Sequence, residues 1–292
     1  MKPILAVLIL AAVIAGCGKN QDVLTPGGSL EPPVNVRAYS AGSDAVGLVW
    51  NAPPGASDSL FGGYLVQWTG GKDTLGRATL SRTVSGLPPG AIQFYLFSLL
   101  TDGTRSATGA VIQWAPADRF SNLSITEDRG VSSAGPSAID LGTGGGSPQT
   151  ESLDNNSDSI DFYLYGGSGQ LVDNLQLMAP DQFYQALKAT RFSTISDSSV
   201  TLDYPRTTFP AGSTFTETSV AANTNTMYYL QLVGPGNGRF YARILITAIS
   251  GSAPARSVTM QVSLQRAQGV PYAGGFREPR TRYLTLLVPV AG

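Results

Sequence analysis

Ser257-Val258-Thr259-Met260-Gln261-Val262-Ser263-Leu264-Gln265 alternates polar and apolar residues without a break. Successive side chains of a β-strand point to opposite faces, so Val258, Met260, Val262 and Leu264 share one face and Thr259, Gln261, Ser263 and Gln265 the other. The pattern predicts an antiparallel strand with one wet face, and with it a β-sandwich. Upstream, Phe240-Tyr241-Ala242-Arg243-Ile244-Leu245-Ile246 is more continuously apolar, as a central strand would be.

The same alternation recurs near the start of the chain, in Val46, Leu48, Trp50 and in Tyr64, Val66, Trp68, with Pro53-Pro54-Gly55 and Gly62-Gly63 as turn chemistry between them. Further strands are expected at 120–126, 138–141, 159–165, 171–178, 190–195, 200–203, 227–233 and 239–249. One short helix is expected over 181–190, where Pro180-Asp181 starts a pattern with Phe183, Tyr184 and Leu187 at helical spacing. The composition agrees with an all-β chain, since 34 glycines and 19 prolines accompany only 13% charged residues. With 292 residues there is room for roughly two domains, separated at Ala115-Pro116-Ala117-Asp118, which reads as a short hinge with Trp114 as a plug at the junction.

Two absences narrow the chemistry. The chain has no histidine, which removes Ser-His-Asp and Cys-His nucleophiles and His-ligated zinc or haem. Its charge is −1, from 19 basic and 20 acidic residues, which is not the basic footprint of a nucleic-acid binder. Cys17 is the only cysteine, so no disulfide can form within the chain.

The first 16 residues read as a signal peptide: Lys2 gives the positive start and Ile4 to Ile14 run apolar, too short for a membrane span. Ile14-Ala15-Gly16-Cys17 resembles the signal of bacterial lipoproteins, an aliphatic residue and two small ones before a modified cysteine. The resemblance implies cleavage before Cys17, acylation of its thiol and amine, and anchoring in the cell envelope by two or three fatty chains. Residues 17–32 are polar and turn-rich and read as a flexible tether. Gly18 stands where lipoproteins retained at the inner membrane of enteric bacteria carry aspartate, which points to an outer membrane.

Residues 33–116 resemble a fibronectin type III domain. The likeness rests on Pro33 and Val36 at the first strand, Trp50 followed by Pro53, Gly63-Tyr64-Leu65-Val66, and Leu87-Pro88-Pro89-Gly90 before an aromatic strand. It implies a seven-stranded sandwich with Trp50 in its core. The family's tyrosine would fall at Gln93, so either Phe94 replaces it without a hydroxyl or Tyr95 takes its place through a bulge.

Residues 119–292 are expected to form a second antiparallel β-sandwich domain of unknown ligand. Met227-Tyr228-Tyr229-Leu230 and Arg239 to Ile244 are similar to the terminal hairpin of HmuY-type haem-carrier lipoproteins. No histidine could ligate iron, and Met178, Met227 and Met260 are expected in the core, so no cofactor is assigned.

Other constellations are sparse. Asp154, Asn156 and Asp158 space oxygens like the start of a calcium loop, but Ser159 replaces its glycine and Tyr165 its final glutamate, so a polar turn is the plainer reading. Asp140, Asp161, Asp173, Asp203 and Glu217 could supply paired carboxylates for glycoside hydrolysis, but each reads as a surface or strand-edge group. Gly142 to Ser147 lacks the lysine and helix of a phosphate loop and reads as a flexible linker. The tail 276–292, with Arg277, Arg280 and Arg282 before Tyr283 to Val288, is a last strand or a docking tail. The expectation from the whole chain is a non-catalytic, lipid-anchored module for a protein or glycan partner, with an envelope glycan hydrolase as the alternative.

Overall fold

The computed structural model describes residues 30–128, 135–153, 159–167, 174–182, 188–234, 238–269 and 272. The chain is all-β, and its sheets are antiparallel throughout. Cys17, Asp154, Asn156, Asp158, Asp173 and the segment 276–292 lie outside the described residues.

The first half carries β1 (Val34–Gly42), β2 (Ala45–Asn51), β3 (Phe61–Trp68), β4 (Gly71–Gly76), β5 (Ser81–Val84), β6 (Ile92–Leu100) and β7 (Ala110–Trp114). They form a three-stranded sheet, β1-β2-β5, facing a four-stranded sheet, β4-β3-β6-β7. Val46, Leu48 and Trp50 from one sheet meet Tyr64, Val66, Phe94 and Leu96 from the other, and Trp50 packs edge-on against Tyr64 at 5.4 Å. Gly63 has φ +147°, and a Cβ there would stand 2.1 Å from the Leu75 carbonyl of the paired strand, so only glycine fits. Phe94 is fully buried while Tyr95 is largely exposed, so a phenyl ring without a hydroxyl fills the position in question. Leu30 packs into this core, so the tether expected over 17–32 gives way to packed chain by Leu30.

The second half carries β8 (Asp118–Thr126), β9 (Ala138–Asp140), β10 (Gln149–Glu151), β11 (Phe162–Tyr165), β12 (Gln176–Met178), β13 (Arg191–Ser198), β14 (Phe215–Glu217), β15 (Ser219–Ala221), β16 (Thr226–Val233), β17 (Arg239–Ser250) and β18 (Ser257–Gln265). A five-stranded sheet, β10-β9-β11-β12-β15, covers one face of a six-stranded sheet, β14-β13-β16-β17-β18-β8. Residues 200–203, expected as a strand, form turn and irregular chain instead. The helix expected over 181–190 reduces, among described residues, to a single 3-10 turn at Pro180–Gln182, where Asp181 is held by Arg191 at 2.7 Å.

The six-stranded sheet is buried on both faces at its centre. Tyr228, Leu230, Phe240, Ala242, Ile244, Val258, Met260 and Val262 pack towards the five-stranded sheet. Met227, Tyr229, Tyr241 and Leu245 point the other way and join the core of the first half through Leu202, Phe209, Phe215 and Tyr272. The expected wet face of β18 is therefore only partly wet. Ser263 and Gln265 are buried, with Ser263 accepting from the Tyr272 hydroxyl and Gln265 Nε2 donating to the Pro116 carbonyl at 2.8 Å.

The hinge expected at 115–118 is likewise packed. Ala115 and Ala117 are buried, the Ala115 N–H donates to Tyr272 and the Ala117 N–H to Gly42. Trp114 is fully buried and donates to Ser40 Oγ at 3.1 Å, the plugging role its position suggested. Gly142 to Ser147 is also held, since Arg266 donates to Gly142 and Gly146 carbonyls while pairing with Asp118 at 2.7 Å. A Cβ at Gly142, whose φ is +67°, would meet the Gly146 carbonyl at 2.5 Å, so this glycine serves a tight turn.

Candidate functional site

A polar groove arises where one strand changes sheets. β14 ends the six-stranded sheet, β15 ends the five-stranded sheet, and only Thr218 separates them. Beside this crossing β13 bulges: four steps from Phe192 to Ser196 are matched by two on β16, from Leu230 to Tyr228. Extra residues of this kind bend a strand and turn side chains out of the ladder. Here the bulge is closed locally by the Ile195 N–H donating to Ser193 Oγ at 3.1 Å, and Ser193 Oγ is tied to Thr214 Oγ1 at 3.0 Å.

The resulting groove, about 380 Å³, is lined by Ser193, Thr194, Ser196, Glu217, Ser219 and Asn223 over a floor that includes Val220 and Tyr228. Tyr228 is held in place on both sides. Its hydroxyl donates to the Ala221 carbonyl at 2.6 Å and accepts the Asn223 N–H at 2.9 Å, and burial pushes its phenol above the ordinary range. Four hydroxyls, one amide and one carboxylate offer donors and acceptors to a polar chain laid along the groove. Glu217 is the one carboxylate in that lining, so the groove holds no acid and base pair of the kind glycoside hydrolysis uses.

A second cleft, about 460 Å³, lies beside β8 and β18. Arg119 and Asp203 line it and neutralise each other at 2.5 Å, while the Arg119 guanidinium also donates to the Ser40 carbonyl. Asp203 thus faces solvent, as its sequence context suggested, but is committed to an ion pair.

Asp161 departs from the expectation of a surface group. Its side chain is fully buried at the start of β11, and burial pushes its carboxyl up to about 6 against the pull of Lys188 and the Leu141 N–H. Lys188 Nζ stands 3.4 Å from Asp161 and 3.7 Å from Asp140, so these two carboxylates share one ammonium away from either cleft. No sequence signal joined Asp140, Asp161 and Lys188, because β9, β11 and the chain before β13 meet only in the folded sandwich.

The methionines considered for iron do not converge. Met227 and Met260 are buried on opposite faces of the six-stranded sheet, and Met178 accepts a contact from the Tyr163 hydroxyl at 3.6 Å. Among the described residues no cluster of three or more acidic, histidine or cysteine side chains could hold a metal ion.

No family model matches the chain, and no curated protein matches it. Among solved structures, the family 28 exopolygalacturonase of Yersinia enterocolitica is similar at 18% identity over 30% of this chain, with a TM-score of 0.25. The match spans 21% of that chain, and a likeness of this size carries no argument about activity.

Proposed function

We propose that the chain is a lipid-anchored envelope lipoprotein that acts as a non-catalytic binding or scaffolding module for a protein or glycan partner. In this reading Cys17 carries the lipid at an outer membrane, residues 33–116 are a fibronectin type III domain, and residues 119–292 are the ligand-presenting β-sandwich domain. The sheet orders β1-β2-β5 and β4-β3-β6-β7 support the fibronectin type III assignment, because that family pairs its strands in two sheets of this kind. The packed junction at Ala115 and Ala117 supports a rigid presentation of the second sandwich rather than a swinging one.

The observation that carries the reading is the groove at the β14–β15 crossing, rich in neutral hydrogen-bonding groups and without paired carboxylates. Such a lining suits recognition of a polar, extended ligand. The test is crosslinking capture from cells producing the full chain, beside a Thr194→Trp variant that fills the groove. A partner captured by the first and lost by the second, at equal membrane fractionation, supports the reading. Recovery of only lipid and abundant bystanders from the unaltered chain would sink it.

A further inference from the structure

Asp140, Asp161 and Lys188 form a close cluster that neither cleft uses. Lys188 Nζ is 3.4 Å from Asp161 Oδ1 and donates to the Ser159 carbonyl at 2.5 Å. Asp161 Oδ2 accepts the Leu141 N–H at 2.7 Å, so one carboxyl oxygen is polarised by a fixed donor while the other faces the amine. The backbone of Asp161 is pinned as well, by its N–H to the Ile139 carbonyl at 2.8 Å and by Thr190 Oγ1 donating to its carbonyl at 2.5 Å. The amine and the carboxyl are thus in contact, and groups held together in fixed orientation gain much of the advantage of an intramolecular reaction.

Burial supplies the chemical condition. An ammonium and a carboxylate in water are inert towards each other, but burial disfavours the charged carboxylate and brings the neutral acid within reach, leaving the amine proton to a neighbouring base. The Asp161 side chain has no exposed surface and that of Lys188 only 15%. The carboxyl pushed up to about 6 is consistent with this. Asp140 completes the arrangement, since its Oδ1 lies 3.7 Å from the same Nζ and its side chain is 23% exposed, enough to exchange protons with solvent.

We propose that Lys188 and Asp161 are joined by an intramolecular amide bond, formed with Asp140 as proton carrier. Asp140 takes one proton from the Lys188 ammonium, and the freed Nζ attacks Cγ of the neutral Asp161 carboxyl. The Nζ–Cγ bond forms, and the second amine proton is released, matching the one that neutralised Asp161. Asp140 then returns its proton to the hydroxyl at Oδ1, the Cγ–Oδ1 bond breaks and water leaves. Oδ2, held by the Leu141 N–H, becomes the amide carbonyl oxygen. In sum, one ammonium and one carboxylate become one amide and one water, with no change of oxidation state. The link ties β11 of the five-stranded sheet to the chain that leads into β13 of the six-stranded sheet, so the second sandwich is clasped across its two layers.

The test is mass spectrometry of the full chain purified folded from the cells that produce it. Asp161 and Lys188 fall in one tryptic segment, 130–188, so tryptic digestion is expected to leave a looped peptide 130–191, uncut after Lys188 and lighter by one water than the linear sequence. Lys188→Arg and Asp161→Ala are expected to abolish it, and Asp140→Asn to leave the two residues unlinked in a chain whose circular dichroism is unchanged. Recovery of the linear peptide 130–188, cut after Lys188 and at full mass, from the folded unaltered chain overturns the proposal, and that measurement stands even where a variant fails to fold. A link formed as fully in Asp140→Asn overturns the part given to Asp140.

Discussion

Arg206 and Ala38 exchange both of their backbone hydrogen bonds, at 2.9 and 2.8 Å, although one belongs to the loop before β14 and the other to β1 of the first sandwich. The Arg206 side chain turns back to its own half, to Asp197 at 2.5 Å and the Tyr229 hydroxyl at 3.0 Å. Three residues on, Phe209 stacks on Tyr272 at 4.9 Å and meets Tyr229 edge-on at 5.3 Å. The loop thus rivets the two sandwiches through a shared apolar seam, and Arg243 backs it by donating to the Leu202 carbonyl at 2.9 Å.

A seam of this kind makes the halves unfold together. Trp50, Trp68 and Trp114 all lie in the first sandwich, so tryptophan fluorescence reports that half while circular dichroism reports both. The two denaturant transitions are expected to coincide, and Phe209→Ala is expected to lower both, by about 3–5 kcal/mol. Separate transitions, with only one moved by the substitution, would show two independent units.

Glu127 and Arg256 form a second buried fastening. The Glu127 side chain has no exposed surface, and its carboxylate receives Arg256 Nε at 3.0 Å, Nη2 at 2.7 Å and the Arg256 backbone N–H at 3.1 Å. Removing one member strands the other charge, so Arg256→Ala is expected to cost about 3–5 kcal/mol. The pair replaced together, Glu127→Leu with Arg256→Met, is expected to cost clearly less than the sum of the single losses. Denaturant titration of the unaltered chain, Glu127→Leu, Arg256→Met and the double variant measures the coupling.

The acid limb of stability carries the mark of Asp161 wherever its carboxyl is free, as in Lys188→Arg. Burial raises the folded carboxyl to about 6 from 3.8, with the cation at 188 and Asp140 as the charged groups facing it. Between those values the folded state binds the proton that the unfolded state has lost. Stability from this group is therefore full below about pH 4 and falls as pH rises to about 6, by on the order of 2–3 kcal/mol. Adding Asp161→Asn to Lys188→Arg is expected to remove that slope. The unaltered chain, its carboxyl consumed in an amide, is expected to lack it too.

The anchor is tested at its one thiol. Cys17→Ser is expected to abolish fatty-acid labelling and release the protein from the membrane fraction, because no other residue offers the acylated position. Unchanged labelling would refute the lipoprotein reading.

The strands were legible where burial is one-sided or complete. The alternation at Val258 to Leu264 and the strand expected at 239–249 name β18 and β17 within a residue or two. The short strands β10, β14 and β15 went unread, because three residues show no period of their own, whereas the equally short β9 and β12 lie within longer apolar stretches. The groove was equally silent in the sequence. Ser193, Thr194, Glu217 and Ser219 are ordinary loop-like residues until a bulge and a sheet crossing bring them together.

The sequence by itself determined an all-β chain with antiparallel sheets and the exclusion of histidine chemistry, since each follows from residue type or a period of two, while the tryptophan-centred first sandwich was what the family resemblance of residues 33–116 implied. Only the tertiary structure decided which polar residues would lose their water. Ser263, Gln265 and Asp161 read as outward or edge groups, yet all three are buried because a second layer of chain, closing over them from elsewhere, supplies their partners. Local pattern fixes which way a side chain points, while burial depends on what folds over it, and that is set by contacts between residues far apart in the chain.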